Sequence, residues 1–169
     1  SRTFVGSSIP DLQGGFGSNF RLYNFDLSLQ FAYQLGGKFY DYQYAGLMHS
    51  GQLGRGWHTD MRARWSPENP HTDVPRLEFA NQKLLSTSDR FLTDASYLSL
   101  RNISIGYSLP EEVCQKLHLN KLRYYITAEN VYLWSKRKGL DPRSSLSGVN
   151  SSAVYSPIRT VSMGLNLNF

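Results

Sequence analysis

Hydrophobic and polar residues alternate along five segments of this chain, most cleanly over Phe25–Leu35. Side chains alternate across a strand with period two. Phe25, Leu27, Leu29, Phe31, Tyr33 and Leu35 therefore share one face, and Asp26, Ser28, Gln30, Ala32 and Gln34 the other. Upstream, Leu12, Gly14, Phe16, Ser18, Phe20 and Leu22 oppose Gln13, Gly15, Gly17, Asn19 and Arg21, and Tyr23-Asn24 has the composition of a tight turn. This predicts a hairpin of strands 12–22 and 24–35. A third strand, 97–109, changes parity between Leu98, Leu100 and Ile103, Ile105, Tyr107, Leu109, so a bulge or a change of environment along the strand is expected at Arg101-Asn102. Pro110–Leu117 reads as a short helical turn, opened by Pro and with Glu111 and Glu112 where the helix dipole favours them. The fourth strand, 121–134, sets Leu122, Tyr124, Ile126 and Ala128 against Arg123, Tyr125, Thr127 and Glu129. The fifth, 158–169, sets Val161, Met163, Leu165, Leu167 and Phe169 against Ser162, Gly164, Asn166 and Asn168.

Between these strands the links alternate short and long. Over 36–96 and 135–157 no period holds, and the first of these carries Gly36-Gly37, Gly51, Gly54, Gly56, three prolines, Trp57 and Trp65. Connections of this length are uncommon in a compact domain and usually functional when ordered. Outer-membrane barrels show the same asymmetry, with short turns on one side and long extracellular loops on the other. A closing strand that stops at a terminal Phe is what the bacterial outer-membrane assembly machinery accepts. Val161, Met163, Leu165, Leu167 and Phe169 are therefore expected to form an assembly signal, apolar toward lipid and polar toward a wet lumen. An ordinary last strand of a soluble β domain alternates in the same way. Five strands do not close a barrel, and an open edge in lipid leaves backbone groups unpaired at several kcal/mol each. On the membrane reading the chain is the C-terminal part of something larger, and its Ser1-Arg2-Thr3 start is that of a mature or truncated polypeptide.

Composition sharpens this picture at three points. Of 169 residues 40% are hydrophobic, with Tyr 11, Phe 9 and Trp 3, and the mean hydropathy is −0.41. No run of about 18 apolar residues exists, which excludes a transmembrane helix and leaves barrel strands open. The abundant aromatics fit girdles at two membrane interfaces. A net charge of +5 is scattered, with its densest groups at Lys136-Arg137-Lys138 and at Arg55, Arg62 and Arg64. No nucleic-acid reading module accompanies these charges, so they read as solvated loops. The single cysteine, Cys114, excludes an internal disulfide and a cysteine-based zinc site.

Candidate chemistry is sparse. His49, His58, His71 and His118 lack metal-ligand spacing. Asp60, Glu68, Asp73, Glu78, Asp89 and Asp94 include enough carboxylates for a glycosidase pair, but in a loop such groups read as solvated or turn-capping. There is no G-x-S-x-G elbow, and Gly51–Gly56 lacks the strand and Lys-Ser/Thr of a phosphate loop. No enzyme activity, metal or cofactor is expected. The aromatics Trp57, Trp65, Tyr40, Tyr42 and Tyr44 are the candidate ligand or partner residues, since aromatic faces stack on sugars or pack on a partner. The alternative is that they pack the loop against itself and the barrel mouth.

Several strings together resemble the SusC/RagA-type TonB-dependent transporters of the Bacteroidetes. They are Trp65–Pro70 followed by Thr72–Arg76, Ser86–Leu92, Tyr97–Pro110, Glu129-Asn130, Lys138–Pro142 and Tyr155–Thr160. The resemblance spans nearly the whole chain in order, departing at Glu129, where Gln is frequent, and at Ile158, where a second Pro is. It implies an all-β fold, the C-terminal antiparallel strands of a 22-stranded barrel, with the plug domain and TonB box outside this chain. It also implies import of glycans or peptides across the bacterial outer membrane. The implied partners are the rest of the barrel and plug, a SusD-like surface lipoprotein, the TonB complex acting through the plug, and outer-membrane lipid. The rival reading is a soluble carbohydrate-binding β-sandwich.

Overall fold

The computed structural model describes residues 3–51, 53–78, 86–145, 147–150 and 155–169. Five long strands form one antiparallel sheet in the order β1 (Leu12–Leu22), β2 (Phe25–Leu35), β5 (Tyr97–Ser108), β6 (Lys121–Ser135) and β7 (Thr160–Asn168). Each strand pairs with the next long strand in sequence. β2 begins at Phe25, where its alternation begins and one residue inside the expected 24–35, because Tyr23 and Asn24 both belong to the turn, with Tyr23 at φ +52°. The β5–β6 link holds a short helix, α2 (Glu111–Lys116), whose N-cap is Pro110 and which buries Cys114. The two short links lie at one end of the sheet and the two long connections at the other.

One register keeps the apolar face continuous. The rows Leu27–Ile105–Ile126–Met163 and Leu29–Ile103–Ala128–Val161 cross the middle of the sheet. At the short-link end runs Phe25–Tyr107–Tyr124–Leu165, and at the other end Phe31–Leu100–Tyr132 and Tyr33–Leu98–Trp134. Aliphatic side chains thus fill the middle of β2, β5, β6 and β7, where β1 adds Phe20 and Ser18, and aromatics gather toward both ends. Rings meet there at centroid distances of 4.7 Å (Phe25–Tyr107), 4.8 Å (Phe16–Phe31) and 4.6 Å (Tyr132–Trp134).

The parity switch in β5 is a bulge. Gln30 pairs with Asn102 and Phe31 with Leu100, so Arg101 is the extra residue against β2. On the other side Leu100 faces Tyr132 while Asn102 faces Glu129, and Asn130 in β6 takes φ +51°. The two irregularities bring Leu98 and Leu100 back onto the face of Ile103. A one-residue slip would otherwise send every later side chain to the opposite face.

Among the described residues no second layer packs onto this face. Phe16 is 55% exposed, Leu165 61% and Met163 73%. Among the described residues the buried apolar side chains, Cys114 apart, belong to the long connections. The first connection leaves β2 at Gly36-Gly37 and forms β3 (Lys38–Tyr40), α1 (Tyr42–Leu47), 3-10 turns over Thr59–Ala63 and Asp89–Phe91, and β4 (Leu92–Asp94). β3 and β4 pair antiparallel. Tyr40, Met48, Met61 and Phe91 make one apolar cluster inside it. Phe39 and Ala95 make a second cluster with Leu140, which comes from the other long connection. These elements are three to six residues long, too short to show a period, so the sequence reads as patternless there.

Candidate functional site

On the polar face of the sheet, long side chains lie over glycines of neighbouring strands. Arg123 of β6 reaches across Gly106 to Asp26 of β2, with Nε 2.9 Å from Oδ1 and Nη2 2.5 Å from Oδ2. A Cβ on Gly106 would collide with both partners. The Tyr125 ring lies over Gly164 of β7, where an added Cβ would stand 2.5 Å from the ring, and the Arg123 guanidinium centre is 5.2 Å from the Tyr125 centroid. Nearby, Thr127 Oγ1 donates to Ser104 Oγ at 3.2 Å. Three strands are therefore tied on this face by a paired charge and hydroxyls, which suits a polar environment.

The long connections carry the other candidates. Asp41 caps α1 by accepting from Tyr44 N through Oδ1 at 3.0 Å, and its Oδ2 receives Arg137 Nη1 at 3.4 Å. The Arg137 guanidinium centre sits 4.0 Å from the Tyr44 ring centroid. Tyr44 Oη donates to Asp60 Oδ2 at 2.8 Å. Burial, then the Asp60 carboxylate, push the Tyr44 phenol above its ordinary range. Asp60 N donates to His58 Nδ1 at 3.2 Å, and the Asp60 carboxylate lies 3.3 Å from the same nitrogen.

His49 is completely buried. Its Nδ1 accepts from Gly51 N and Trp57 Nε1, each at 3.1 Å, which leaves the proton on Nε2, donated to Gly56 O at 3.3 Å. The indole N–H of Trp57 is also 3.1 Å from His49 O. Trp57 is thus fixed by its polar edge while half of its surface stays exposed.

The five aromatics picked out by composition divide. Tyr40 lies in the apolar cluster, its ring centroid 4.5 Å from that of Tyr42, and burial raises its phenol above the ordinary range. Tyr44 packs against the same cluster. Tyr42, Trp57 and Trp65 are exposed. Trp65 lines an open groove with Thr72, Asp73, Val74, Pro75 and Arg76, held by Trp65 N→Val74 O at 2.8 Å and by Thr72 Oγ1→Ala63 O at 2.6 Å. Trp57 is not among the residues that line the Trp65 groove. No group of three or more His, Cys, Asp or Glu side chains comes together at metal-ligand distance among the described residues.

Sequence reasoning missed Arg143. It lies at the start of a 3-10 turn, Pro142–Ser144, capped by Asp141. Nε and Nη2 clamp Asp141 at 2.8 and 2.7 Å, and Nη1 donates to the fully buried Ser99 Oγ of β5 at 2.8 Å. The Asp141 carboxylate holds the guanidinium above its ordinary range. Asp141-Pro142 is a recognisable turn start, but nothing local signals the reach to Ser99, which is 44 residues away.

The chain is similar to known TonB-dependent receptors and to a solved peptide transporter. It is 33% identical to TonB-dependent receptor P3 of Formosa agariphila, over 99% of this chain and 17% of that receptor. It is 36% identical to TonB-dependent receptor SusC of Bacteroides thetaiotaomicron, over 48% of this chain and 8% of that protein. It superposes on a chain of the RagAB peptide transporter with a TM-score of 0.82 at 25% identity, covering 98% of this chain and 18% of that one. No family model matches it. The chain thus spans about a sixth of the length of the curated relatives it matches along its whole length.

Proposed function

Since this chain matches the C-terminal segment of the SusC/RagA-type TonB-dependent receptors, which are outer-membrane proteins, we propose that it supplies part of the wall and the extracellular loops of a nutrient importer. The observation that carries this reading is the apolar face that runs over all five strands, interrupted at Gly14 and Ser18 of β1, with exposed side chains from β1 to β7. β1 and β2 are 11 residues long. At about 3.4 Å per residue and a tilt of about 40°, such a strand rises about 26 Å, which matches the apolar band of an outer-membrane barrel, about 25 Å tall. The aromatic rows toward each end sit where lipid headgroups begin. A soluble sandwich would need a second sheet on this face, and among the described residues none covers it.

In this reading the Arg123–Asp26 face lines the lumen and the short links are periplasmic. Residues 36–96 and 135–157 extend outside the cell. There the exposed Trp57, Trp65 and Tyr42 meet cargo or a SusD-like lipoprotein partner, and transport is driven by TonB through the plug. The chain contributes shape and contact surface and no bond chemistry. The cargo is a peptide or a glycan, and similarity to a peptide transporter supports the former.

A protease site inserted within residues 36–96 of the whole receptor tests the topology. Cleavage by protease added to intact cells is the expected result. Protection in intact cells, with cleavage only after the outer membrane is opened, would reverse the sidedness. Recovery of the receptor in the soluble fraction without detergent would remove the membrane reading altogether.

A further inference from the structure

The two long connections are joined to each other by more than loop-to-loop contact. Tyr40 N donates to Gly148 O at 2.7 Å, Tyr40 forms a parallel bridge with Val149, and Tyr42 N donates to Asn150 Oδ1 at 3.0 Å. Leu140 completes the apolar cluster of Phe39 and Ala95. Two arginines of the second connection reach out of it. Arg137 joins Asp41 and covers Tyr44, both in the first connection, and Arg143 joins Ser99 in the sheet. Asp41 and Asp141 are both buried, at 5% exposure. Buried carboxylates need fixed partners, and losing one leaves a charge the interior does not tolerate.

We propose that Arg137 and Arg143 are positioning residues that lock the described parts of the two long connections into one rigid body seated on the sheet, so that order in either part is imposed on the other. Arg137 ties the connections to each other, and Arg143 ties the pair to the wall. Trp57, Trp65 and Tyr42 are then presented by a single pre-ordered surface, which lowers the ordering entropy that a ligand or partner must otherwise overcome. The proposal rests on these contacts and not on the cargo or on which side of the membrane the connections lie.

Hydrogen–deuterium exchange on the whole detergent-solubilised receptor tests it, comparing the native protein with Arg137→Met, Arg137→Lys and Asn150→Ala. Met keeps an apolar stem over Tyr44 and removes the cation. If the two connections are locked, Arg137→Met speeds exchange of the Tyr40 and Tyr42 amides about tenfold or more, although both lie in the other connection, while the β5–β6 ladder stays protected. Arg137→Lys restores much of the protection. Asn150→Ala, a milder change, exposes Tyr42 alone. Faster exchange confined to residues 136–145, with Tyr40 and Tyr42 unchanged, would show that the connections move independently and would overturn the proposal. Loss of β5–β6 protection in Arg137→Met would make the arginine a general fold residue. In that event Asn150→Ala decides: no change at Tyr42 would overturn the proposal too.

Discussion

At the residue scale, the side chains that could be read from the sequence are those whose role follows from parity. Leu29 and Gln30 differ in face because they are adjacent in a strand, and no knowledge of distant residues is needed. Tyr40 and Tyr44 illustrate the limit. Tyrosine in a loop reads equally as a contact surface or as loop packing, and the choice depends on Phe91, 51 and 47 residues away, which packs with both. Asp94 is a similar case, visible only as a loop carboxylate. Its Oδ1 accepts from Ser96 N at 2.8 Å and from Ser96 Oγ at 2.6 Å, and the hydrogen bond from the Ser96 hydroxyl chiefly holds its pKa below the usual carboxylate value. A carboxyl more acidic folded than unfolded stabilises the folded form above its unfolded pKa of about 3.9 and loses that contribution as pH falls through the folded value. Exchange protection of the Ser96 amide is therefore expected to hold from neutral pH down through the ordinary carboxylate range and to fail only as pH falls through the lowered folded value. Asp94→Asn should abolish that dependence, and an unchanged profile in the variant would assign the loss to other groups.

At the scale of the element, the antiparallel all-β character was legible because alternation and turn composition are local signals. The parity change at Arg101-Asn102 even marked an irregularity, which the structure resolves as a bulge matched by Asn130. Sequence did not reveal β3, β4 or α1, because three residues of strand and six of helix carry no measurable period and are held by tertiary contacts. The face assignment of β2 has a sharp test. Leu29 stands in a middle row between Ser18 and Ile103, so Leu29→Arg places a charge near mid-bilayer. The expected cost is about 2–4 kcal/mol of barrel stability, measured by denaturant titration in lipid, against a much smaller effect for Gln30→Arg on the polar face. Equal costs for the two variants would reject the lipid assignment.

At the scale of the whole molecule, no strand among the described residues pairs with the outer edge of β1 or of β7. In lipid such edges must be paired by further strands, in keeping with a chain about a sixth as long as its relatives. Phe169 lies just beyond β7 and is 82% exposed, while Val161, Met163, Leu165 and Leu167 share the apolar face behind it. Burying one such ring is worth about 1.5–3 kcal/mol, too little to decide the stability of a large barrel. If these residues are recognised during assembly, Phe169→Ala lowers the amount of receptor inserted far more than the melting temperature of the inserted fraction. Normal yield in cells with limiting assembly machinery would make the segment structural only. The pairing of β3 with β4 has a consequence for how such proteins diversify. Ala95 N donates to Gly37 O at 3.0 Å and Gly36 N to Ser96 Oγ at 2.9 Å, so the first connection departs and returns at one point of the wall. Closed at its base, it can lengthen, shorten or change sequence without displacing the register of β2 and β5, since added loop length costs little once the ends are fixed. On the importer reading proposed above, natural selection can then rebuild the surface that meets a new cargo while the wall stays the same. With Tyr40 and Tyr42 bonded to Gly148 and Asn150, the heritable unit of that exchange is both connections together, and a chimera that swaps only one inherits a mismatched half.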